Sequence, residues 1–273
     1  MTKIILTADS GSTKTDWVLT CEGQQLARIS TQGINPFMLS QAEIERILRD
    51  ELICSAQFTF PQVVHFYGAG CRGAQCEVME RALRHCMPGL EEVVVGSDLI
   101  GAAKALFADE DGIACILGTG SNSGLYVGGE IVKNVSPLGY ILGDEGSGAV
   151  LGRRLVGDVL KQQLPEPVCA DFAKQYGMSS DEIINRVYRQ PLANRFLASF
   201  APFLHQHRTV AEVHALLIEE FSRFFRRNVA AYARPDLKVS FVGSIAYYFE
   251  AELREAASAC GFKIGTIKKQ PLD

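Results

Sequence analysis

The chain repeats one pattern of apolar and polar positions, in which two short apolar runs flank a polar turn. The first copy is centred on the polar stretch Thr7–Asp16 and the second on Gly118–Gly124. Short apolar runs bounded by Gly, Ser, Thr and Asn predict β-strands, so each copy predicts a hairpin. A third strand-like run follows each hairpin, at Gln25–Ser30 and at Glu130–Val135. A pattern that occurs twice at this scale predicts an internal duplication of the fold.

Strand and helix patterns then alternate in both halves of the chain. Apolar runs at Val63–Tyr67 and Glu92–Val95 predict two further strands in the first half, each followed by helical periodicity. In the second half, helical periodicity extends from residue 148 to about residue 232, and strand patterns return at Lys238–Val242 and Lys263–Ile267. Strands that alternate with helices predict an α/β fold.

A short acidic linker, Asp109–Gly112, separates the two halves. We therefore expect two domains, residues 1–111 and residues 112–273. The helical periodicity predicts an all-helical insertion in the second domain, at about residues 165–235. With 273 residues, of which 47% are apolar, the chain has enough apolar side chains for two hydrophobic cores.

Composition and charge exclude several classes of protein. The formal net charge is −4 and no run of Lys or Arg occurs, so nucleic acid is not expected as a partner. No apolar run reaches about eighteen residues and no signal-peptide pattern opens the chain, so we expect a cytoplasmic protein without a membrane partner. Eight cysteines are scattered without a Cys-x-x-Cys pair, which is typical of reduced, buried thiols rather than of a zinc site.

The first polar turn carries a candidate phosphate and metal site. Asp9 stands at the end of the first strand and is followed by Gly11, Ser12, Thr13 and Lys14. Such a turn offers backbone N–H groups and hydroxyls beside a carboxylate, which suits a phosphate chain and its Mg²⁺. A Walker A loop is excluded because Lys14 follows Thr13, and a dinucleotide fingerprint is excluded because the turn returns to a strand. An ordinary polar hairpin tip remains the alternative.

Four other sites combine polar chemistry with an informative place in the pattern. Asn35 lies on a loop, either as a ligand contact or as an ordinary turn residue before a proline. Asp98 follows a strand and begins a helix, where open α/β sheets bind ligands and where an N-cap carboxylate also fits. Asp144 and Glu145 lie among glycines, which favours a ligand-facing loop. The turn Gly243-Ser244 suits either a flat ligand or a tight strand-to-helix connection.

These features together resemble the sugar kinase, hexokinase and actin superfamily of ATPases. The two phosphate-type turns, Asp9, Asp98 and the late Gly243-Ser244 turn carry the resemblance. Within the superfamily, Leu117–Asn122 and Gly143–Ser147 look like the N-acetylglucosamine kinase and BadF/BadG/BcrA/BcrD ATPase family. The likeness covers essentially the whole chain. It implies an α/β fold of two ribonuclease-H-like (actin-like ATPase) domains around a cleft, each with a five-stranded sheet.

The resemblance also implies a role for each candidate residue. Asp9 would hold Mg²⁺ through water, Asp98 would accept the proton of the attacking sugar hydroxyl, and Asn35, Asp144 and Glu145 would hold the other sugar hydroxyls. The contacts to ATP would come from Gly11, Ser12, Thr13, Lys14, Thr119, Gly120 and Ser121 at the phosphates, and from Gly243 and Ser244 near the adenosine. The implied function is ATP-dependent phosphorylation of a hexosamine, N-acetylglucosamine to its 6-phosphate. The implied partner is the small-molecule sugar, and a homodimer stays open.

The sequence departs from this family at two places, and two rival functions compete with the kinase. Pro137-Leu138-Gly139 stands where these kinases carry Gly-Trp-Gly, and family members continue past Pro271-Leu272-Asp273 into a final helix. A BadF-type ATPase that activates a dehydratase would need cysteines for an iron–sulfur cluster, and none falls in residues 146–160. A sugar or nucleotide sensor, or an actin-like structural protein, would keep the fold without transfer. The presence of Asp98 argues against this second rival.

Overall fold

The computed structural model describes residues 2–11 and 13–272 and divides the chain into two compact units. One unit extends to Ala105 and the other from Leu106 to Pro271. The units therefore separate near the C-terminal end of a helix, Asp98–Phe107. The domain boundary expected between residues 111 and 112, and the limits of the helical insertion, stay predictions.

The first unit is built on a five-stranded sheet in the order β3-β2-β1-β4-β5. Its strands are β1 (Ile4–Ser10), β2 (Lys14–Cys21), β3 (Gln24–Gln32), β4 (Val63–Gly68) and β5 (Glu92–Ser97). β1 pairs antiparallel with β2 and parallel with β4, and β4 pairs parallel with β5. Because β1, β4 and β5 run the same way, their last residues Ser10, Gly68 and Ser97 lie side by side at one edge of the sheet.

Helices cover the apolar residues of this sheet. They are α1 (Gln41–Ile47), a π-helical segment (Leu48–Ile53), α2 (Ala74–Cys86) and α3 (Asp98–Phe107). A capping box begins α1, because the side chains of Ser40 and Glu43 each bond to the other residue's backbone N–H. The core of the unit includes Trp17 from β2 and Phe66 from β4, whose ring centroids are 5.7 Å apart.

The second unit repeats the arrangement of the first. Its strands are β6 (Gly112–Leu117), β7 (Ser121–Val127), β8 (Glu130–Val135), β9 (Lys238–Val242) and β10 (Lys263–Lys268). They form a sheet in the order β10-β9-β6-β7-β8, in which β6 is antiparallel to β7 and parallel to β9. Each strand of one sheet has a counterpart with the same neighbours in the other. The predicted duplication is therefore confirmed.

Most helices of the second unit lie between β8 and β9 in the chain, and the last two lie between β9 and β10. The helices of this unit are α4 (Gly139–Leu142), α5 (Gly148–Leu160), α6 (Glu166–Tyr176), α7 (Ser180–Tyr188), α8 (Ala193–Ala198), α9 (Ala201–His207), α10 (Ala211–Phe224), α11 (Ser244–Tyr248) and α12 (Glu250–Ala259), with a π-helical segment (Phe225–Val229) and a 3₁₀ turn (Ala230–Tyr232). Phe203 and Phe221 from these helices share one core with Phe241 of β9. Across residues 2–11 and 13–272, no helix combines the length and the apolar character of a membrane span.

Candidate active site

A buried network of hydroxyl groups fixes the first polar turn. The Oγ of Ser10 and the Oγ1 of Thr15 are 2.6 Å apart, and Ser10 Oγ also donates to the carbonyl of Ile34 at 2.8 Å. The N–H of Ile34 donates to both hydroxyl oxygens at 3.1 Å. Because all three residues are buried, these bonds replace the water that the polar groups lose on folding. The network ties the β1–β2 hairpin to the residue that precedes Asn35.

The tip of the first turn is exposed and polar. The N–H of Gly11 donates to the carbonyl of Lys14 at 3.0 Å, and the carbonyl of Thr13 accepts from Gly33. The ammonium of Lys14 lies 2.7 Å from Oδ1 of Asp16. Gly11, Thr13 and Lys14 are thus brought together at the tip as predicted from their order in the chain. Ser12 lies outside the described residues.

Asp9 occupies a position where a negative charge is unfavourable without a cationic partner. It is in register with Asp16 on β2 and with Tyr67 on β4. Burial, together with the carboxylates of Asp98 and Asp16, raises the pKa of Asp9 to about 7, and Arg28 opposes the shift. A bound cation beside Asp9 would relieve this destabilisation of its charged form.

Asp98 is the first residue of α3, and its neighbour Ser97 caps the helix. The Oγ of Ser97 accepts from the N–H of Ile100 at 3.3 Å, which is the N-cap bond. The Oδ1 of Asp98 accepts from the N–H of Leu99 at 2.8 Å. Burial raises the pKa of Asp98, while the Leu99 N–H and the charge of Arg72 act in the opposite direction. The carboxyl group of Asp98 is therefore not needed as the helix cap.

The sheet register brings Asp9 and Asp98 to the same edge. Asp9, Tyr67 and Gly96 are in register across β1, β4 and β5, and neighbouring strands lie about 4.8 Å apart, so the ends of β1 and β5 are about 10 Å apart. The two carboxyl groups lie close enough for the charge of Asp98 to act on Asp9.

The side chain of Asn35 occupies space at this edge that is open because residue 70 is a glycine. Gly70 has φ +82°, and a Cβ there would stand 2.0 Å from Oδ1 of Asn35, so no other residue fits without displacing the amide. The same oxygen accepts from the N–H of Phe37 at 3.0 Å. Next to Gly70, Cys71 is buried, which with smaller effects of Cys76 and Asp98 raises the pKa of its thiol to about 12. Asn35 and Asp98 therefore flank one loop, and the thiol in that loop stays protonated.

Sequence reasoning missed Arg72, whose guanidinium acts on Asp98. Arg72 follows the glycine-rich end of β4, and nothing in the local pattern indicated that its charge would act on Asp98.

Backbone hydrogen bonds fix the second polar turn to the helix that follows it. The N–H of Gly118 donates to the carbonyl of Gly120 at 3.0 Å, which closes the turn. The N–H groups of Gly148 and Ala149, at the start of α5, donate to the carbonyls of Gly118 and Thr119 at 2.8 and 3.1 Å. This turn therefore rests directly on the first residues of a helix.

Asp144 lies against this second turn. Its backbone has φ +52°, a left-handed conformation that costs about 1–2 kcal/mol for a residue with a side chain. Its carboxylate accepts from the N–H of Ser121 and stands 3.0 Å from the point that a Cβ on Gly120 would occupy. Burial and the charge of Glu145 raise the pKa of Asp144 to about 6, against the Ser121 bond. The structure thus brings Gly120, Ser121 and Asp144 together.

Glu145, by contrast, is only 5% exposed, and its carboxylate is paired with the exposed Arg227 and the buried Asn228. Its Oε1 accepts a short bond from Nε of Arg227, and its Oε2 accepts from Nδ2 of Asn228 at 3.2 Å. Each oxygen of the carboxylate therefore already has a partner within the protein. The contact of Glu145 with a sugar hydroxyl stays a prediction.

The Gly243-Ser244 turn closes one side of a cavity of about 490 Å³ in the second unit. Gly243 has φ +124°, and a Cβ there would stand 2.2 Å from the carbonyl of Leu117, so the turn lies directly against the end of β6. The residues that line the cavity include Gly118, Thr119, Pro202, His205, Ser244 and Tyr248. The described residues that line the cavity include no Asp, Glu, Lys or Arg. A largely apolar cavity of this size fits a small organic ligand.

The carboxylate of Asp9 fits a cation that takes most of its ligands from water and phosphate rather than from the protein. Among the residues that the structure describes, no group of three or more His, Cys, Asp or Glu side chains forms a metal cage. Mg²⁺ characteristically takes one or two protein carboxylates and completes its shell with water and phosphate oxygens. Asp9 can supply such a carboxylate. An iron–sulfur cluster needs several cysteine thiolates close together, and the described part of the chain has no such group of cysteines.

Comparisons with known proteins found similar chains among solved structures. No protein-family model matches it, and no curated protein matches it. A candidate N-acetylglucosamine kinase from Porphyromonas gingivalis is 47% identical, with 98% of this chain and 95% of that chain covered and a TM-score of 0.96. A second candidate N-acetylglucosamine kinase, from Chromobacterium violaceum, is 19% identical, with coverages of 98% and 96% and a TM-score of 0.79.

A more distant match shares the fold alone. A ROK family glucokinase from Streptomyces griseus, solved with glucose and AMPPNP, is 13% identical, with 98% of this chain and 94% of that chain covered and a TM-score of 0.62. Together with the two duplicated sheets, these likenesses show that the chain has the two-domain α/β fold of the actin-like ATPases, as expected.

Proposed function

The chain belongs to the N-acetylglucosamine kinase family, and from that membership we propose that it is an ATP-dependent sugar kinase. It transfers the γ-phosphate of ATP to a hydroxyl of a hexosamine, with N-acetylglucosamine as the first choice and its 6-phosphate as the product. The observation that carries the proposal is the 47% identity over 98% of the chain with a candidate kinase of that name. The two acidic residues at one sheet edge and the cavity beside the second turn support it.

The cavity at Gly243-Ser244 supports the binding of ATP. Its lining is largely apolar, contains aromatic rings from His205 and Tyr248, and ends at the backbone of Thr119. Such a lining suits the flat base and the ribose of a nucleotide, while backbone N–H groups of a glycine-rich turn suit its phosphates. We assign Thr119 and Gly120 to the phosphates through these N–H groups, and Ser121 through its hydroxyl, because its N–H bonds to Asp144.

Asp98 is proposed as the general base. Phosphoryl transfer depends mainly on positioning and charge stabilisation, and one well-placed carboxylate can take the proton of the attacking hydroxyl. The Leu99 N–H holds one oxygen of Asp98, which leaves the other oxygen for the sugar. The raised pKa makes this carboxylate a stronger base once it is ionised.

Asp9 is proposed to hold Mg²⁺ through water, and the exposed tip of the first turn to face the β- and γ-phosphates. The metal would neutralise charge that develops on the transferred group. Asn35, held by Gly70, is proposed to bind the sugar, because Nδ2 of its amide has no partner among the described residues. Asp144 is proposed to bind a sugar hydroxyl from its place beside the second turn.

The test is a measurement of ADP release and of sugar phosphate by mass spectrometry. Purified protein with Mg²⁺ and ATP is compared without sugar and with N-acetylglucosamine, glucosamine, N-acetylmannosamine or glucose. We expect product with N-acetylglucosamine at the highest kcat/KM. Hydrolysis of ATP that does not depend on sugar would favour a dehydratase activator, and binding of ATP or sugar without turnover would favour a sensor; either result rejects the kinase.

A further inference from the structure

The loop Gly143–Ser147 contains a buried carboxylate, Glu145, which forms an ion pair with the exposed Arg227 and to which the reaction assigns no part. Glu145 is 5% exposed, and its two oxygens accept from the consecutive residues Arg227 and Asn228. A buried carboxylate is stable only when charge and hydrogen bonds compensate it. Here two side chains from a single segment supply both.

The geometry of that segment is unusual. Arg227 and Asn228 lie in the π-helical turn Phe225–Val229 that follows α10. π-Helical turns are rare and occur often at functional sites. The wider turn lets two consecutive side chains reach the same carboxylate. Phe225, at the start of the segment, packs on Phe241 of β9 with ring centroids 6.0 Å apart, so the segment is anchored to the sheet.

The cluster acts on the residue next to Glu145. Asp144 has a left-handed backbone, and so does Gly146 with φ +71°. A loop strained in this way persists only when its surroundings hold it. The Asp144 N–H donates to the carbonyl of Pro137 at 2.8 Å on one side, and the Glu145 ion pair holds the loop on the other. The carboxylate of Asp144 is thereby kept at the N–H of Ser121.

We infer that Glu145, Arg227 and Asn228 form a clamp that positions Asp144 for the substrate, so that Glu145 is a positioning residue rather than a sugar ligand. The inference rests on the proposed sugar kinase activity. It differs from a purely structural role because it requires the effect of Arg227 on the substrate to pass through Asp144.

A double-mutant cycle tests that requirement. We expect Arg227→Gln to raise the KM for the sugar by on the order of tenfold, as for coupled neighbours, with a smaller change in kcat. In an Asp144→Asn background the same substitution should change KM by less than about twofold. Arg227→Lys, which keeps the charge, should recover part of the loss. An equal factor in both backgrounds, or an unchanged KM, would overturn the clamp.

A matched control is the buried Glu220 of α10, which pairs with Arg154 of α5 and with Arg223 of α10. Glu220 is fully buried and accepts from Arg154 and Arg223 at 2.6 and 2.8 Å. Arg223→Gln should lower the melting temperature without changing the KM for the sugar. If Arg227→Gln does not fold, Asn228→Ala removes the weaker bond to Glu145 and is carried through the same cycle.

A readout that needs no turnover separates this inference from the proposed function. Hydrogen exchange followed by mass spectrometry reports on the peptide that contains Ser121, whose N–H bonds to Asp144. Faster exchange there in Arg227→Gln, but not in Arg223→Gln, supports the clamp even if the wild-type protein phosphorylates none of the sugars. Unchanged exchange in Arg227→Gln refutes it even if the protein proves to be a kinase.

Discussion

The two polar turns occupy equivalent places in duplicated sheets, yet they are fixed by different means. The first depends on side chains, since the hydroxyls of Ser10 and Thr15 bond to the backbone at Ile34. The second depends on backbone, since Gly118 and Thr119 accept from the first N–H groups of α5. A duplicated topology therefore preserves the path of the chain and not the interactions that hold it. Side-chain hydroxyl groups support the first turn, whereas the backbone of a neighbouring helix supports the second.

The acidic residues follow the same division. The first unit places two half-buried carboxyl groups, Asp9 and Asp98, at one sheet edge, with the pKa of each raised by burial. The second places one such carboxyl group, Asp144, directly on its turn. Substitutions in the first unit should therefore affect chemistry most strongly, and steric substitutions in the second should affect stability.

The largest expected effect is that of Asp98→Asn. It should lower turnover by on the order of 10²–10⁴, the usual contribution of a general base, while the affinity for ATP stays nearly unchanged. Steady-state kinetics and calorimetric titration with a non-hydrolysable ATP analogue measure the two quantities. Turnover at the wild-type level would remove Asp98 from the mechanism.

Two glycines of α5 provide a steric test in the second unit. A Cβ on Gly152 would stand 1.9 Å from the backbone oxygen of Leu197, so Gly152→Ala should lower the free energy of unfolding by about 3 kcal/mol. Gly157, in the same helix, has open space, and Gly157→Ala should raise it by about 0.5–1 kcal/mol. Urea denaturation checks both. Equal effects would contradict close contact between α5 and α8.

The hydroxyl network of the first turn gives a smaller effect. Ser10→Ala leaves the buried N–H of Ile34 with one partner instead of two and removes a donor to its carbonyl, at a cost of about 1–3 kcal/mol. The control is the exposed Ser30, whose hydroxyl donates to Asp16. Ser30→Ala should lower the free energy of unfolding by less than Ser10→Ala does. Thermal unfolding compares them, and a larger loss for Ser30→Ala would reject the network as the support of the turn.

The smallest effect is a dependence of stability on pH. A carboxyl group whose pKa is raised by folding favours the folded state at low pH, and this contribution is lost as the pH rises from about 4 through the folded-state pKa. For the ligand-free protein the loss should extend to about pH 7 for Asp9 and to about pH 6 for Asp144. Asp9→Asn and Asp144→Asn should each recover on the order of 1–2 kcal/mol at pH 8, because neither side chain is fully buried. Denaturation at pH 5 and pH 8 measures this, and a variant as pH-sensitive as wild type contradicts the assignment.

Local patterns in the sequence predicted much of the fold and part of the site. The strands and the place of Asp98 after β5 follow from periodicity and turn residues within short windows. The pairing of Glu145 with Arg227, 82 residues away in the chain, could not be predicted, because it is created by the topology. The contact of Gly70 with Asn35 was out of reach for the same reason. Sequence reasoning therefore identified the reactive groups better than the groups that support them.

The position of the helical segment within the second sheet has a consequence for how the protein is synthesised. The five strands of the first sheet are complete once Ser97 has left the ribosome, so that sheet can form early. Strand β6 finds its parallel partner β9 only after every helix from α4 to α10 has been translated. Until then an apolar strand edge stays unpaired, which is a typical starting point for aggregation. Slow translation or chaperone binding during this interval should therefore matter more for the second half of the nascent chain than for the first.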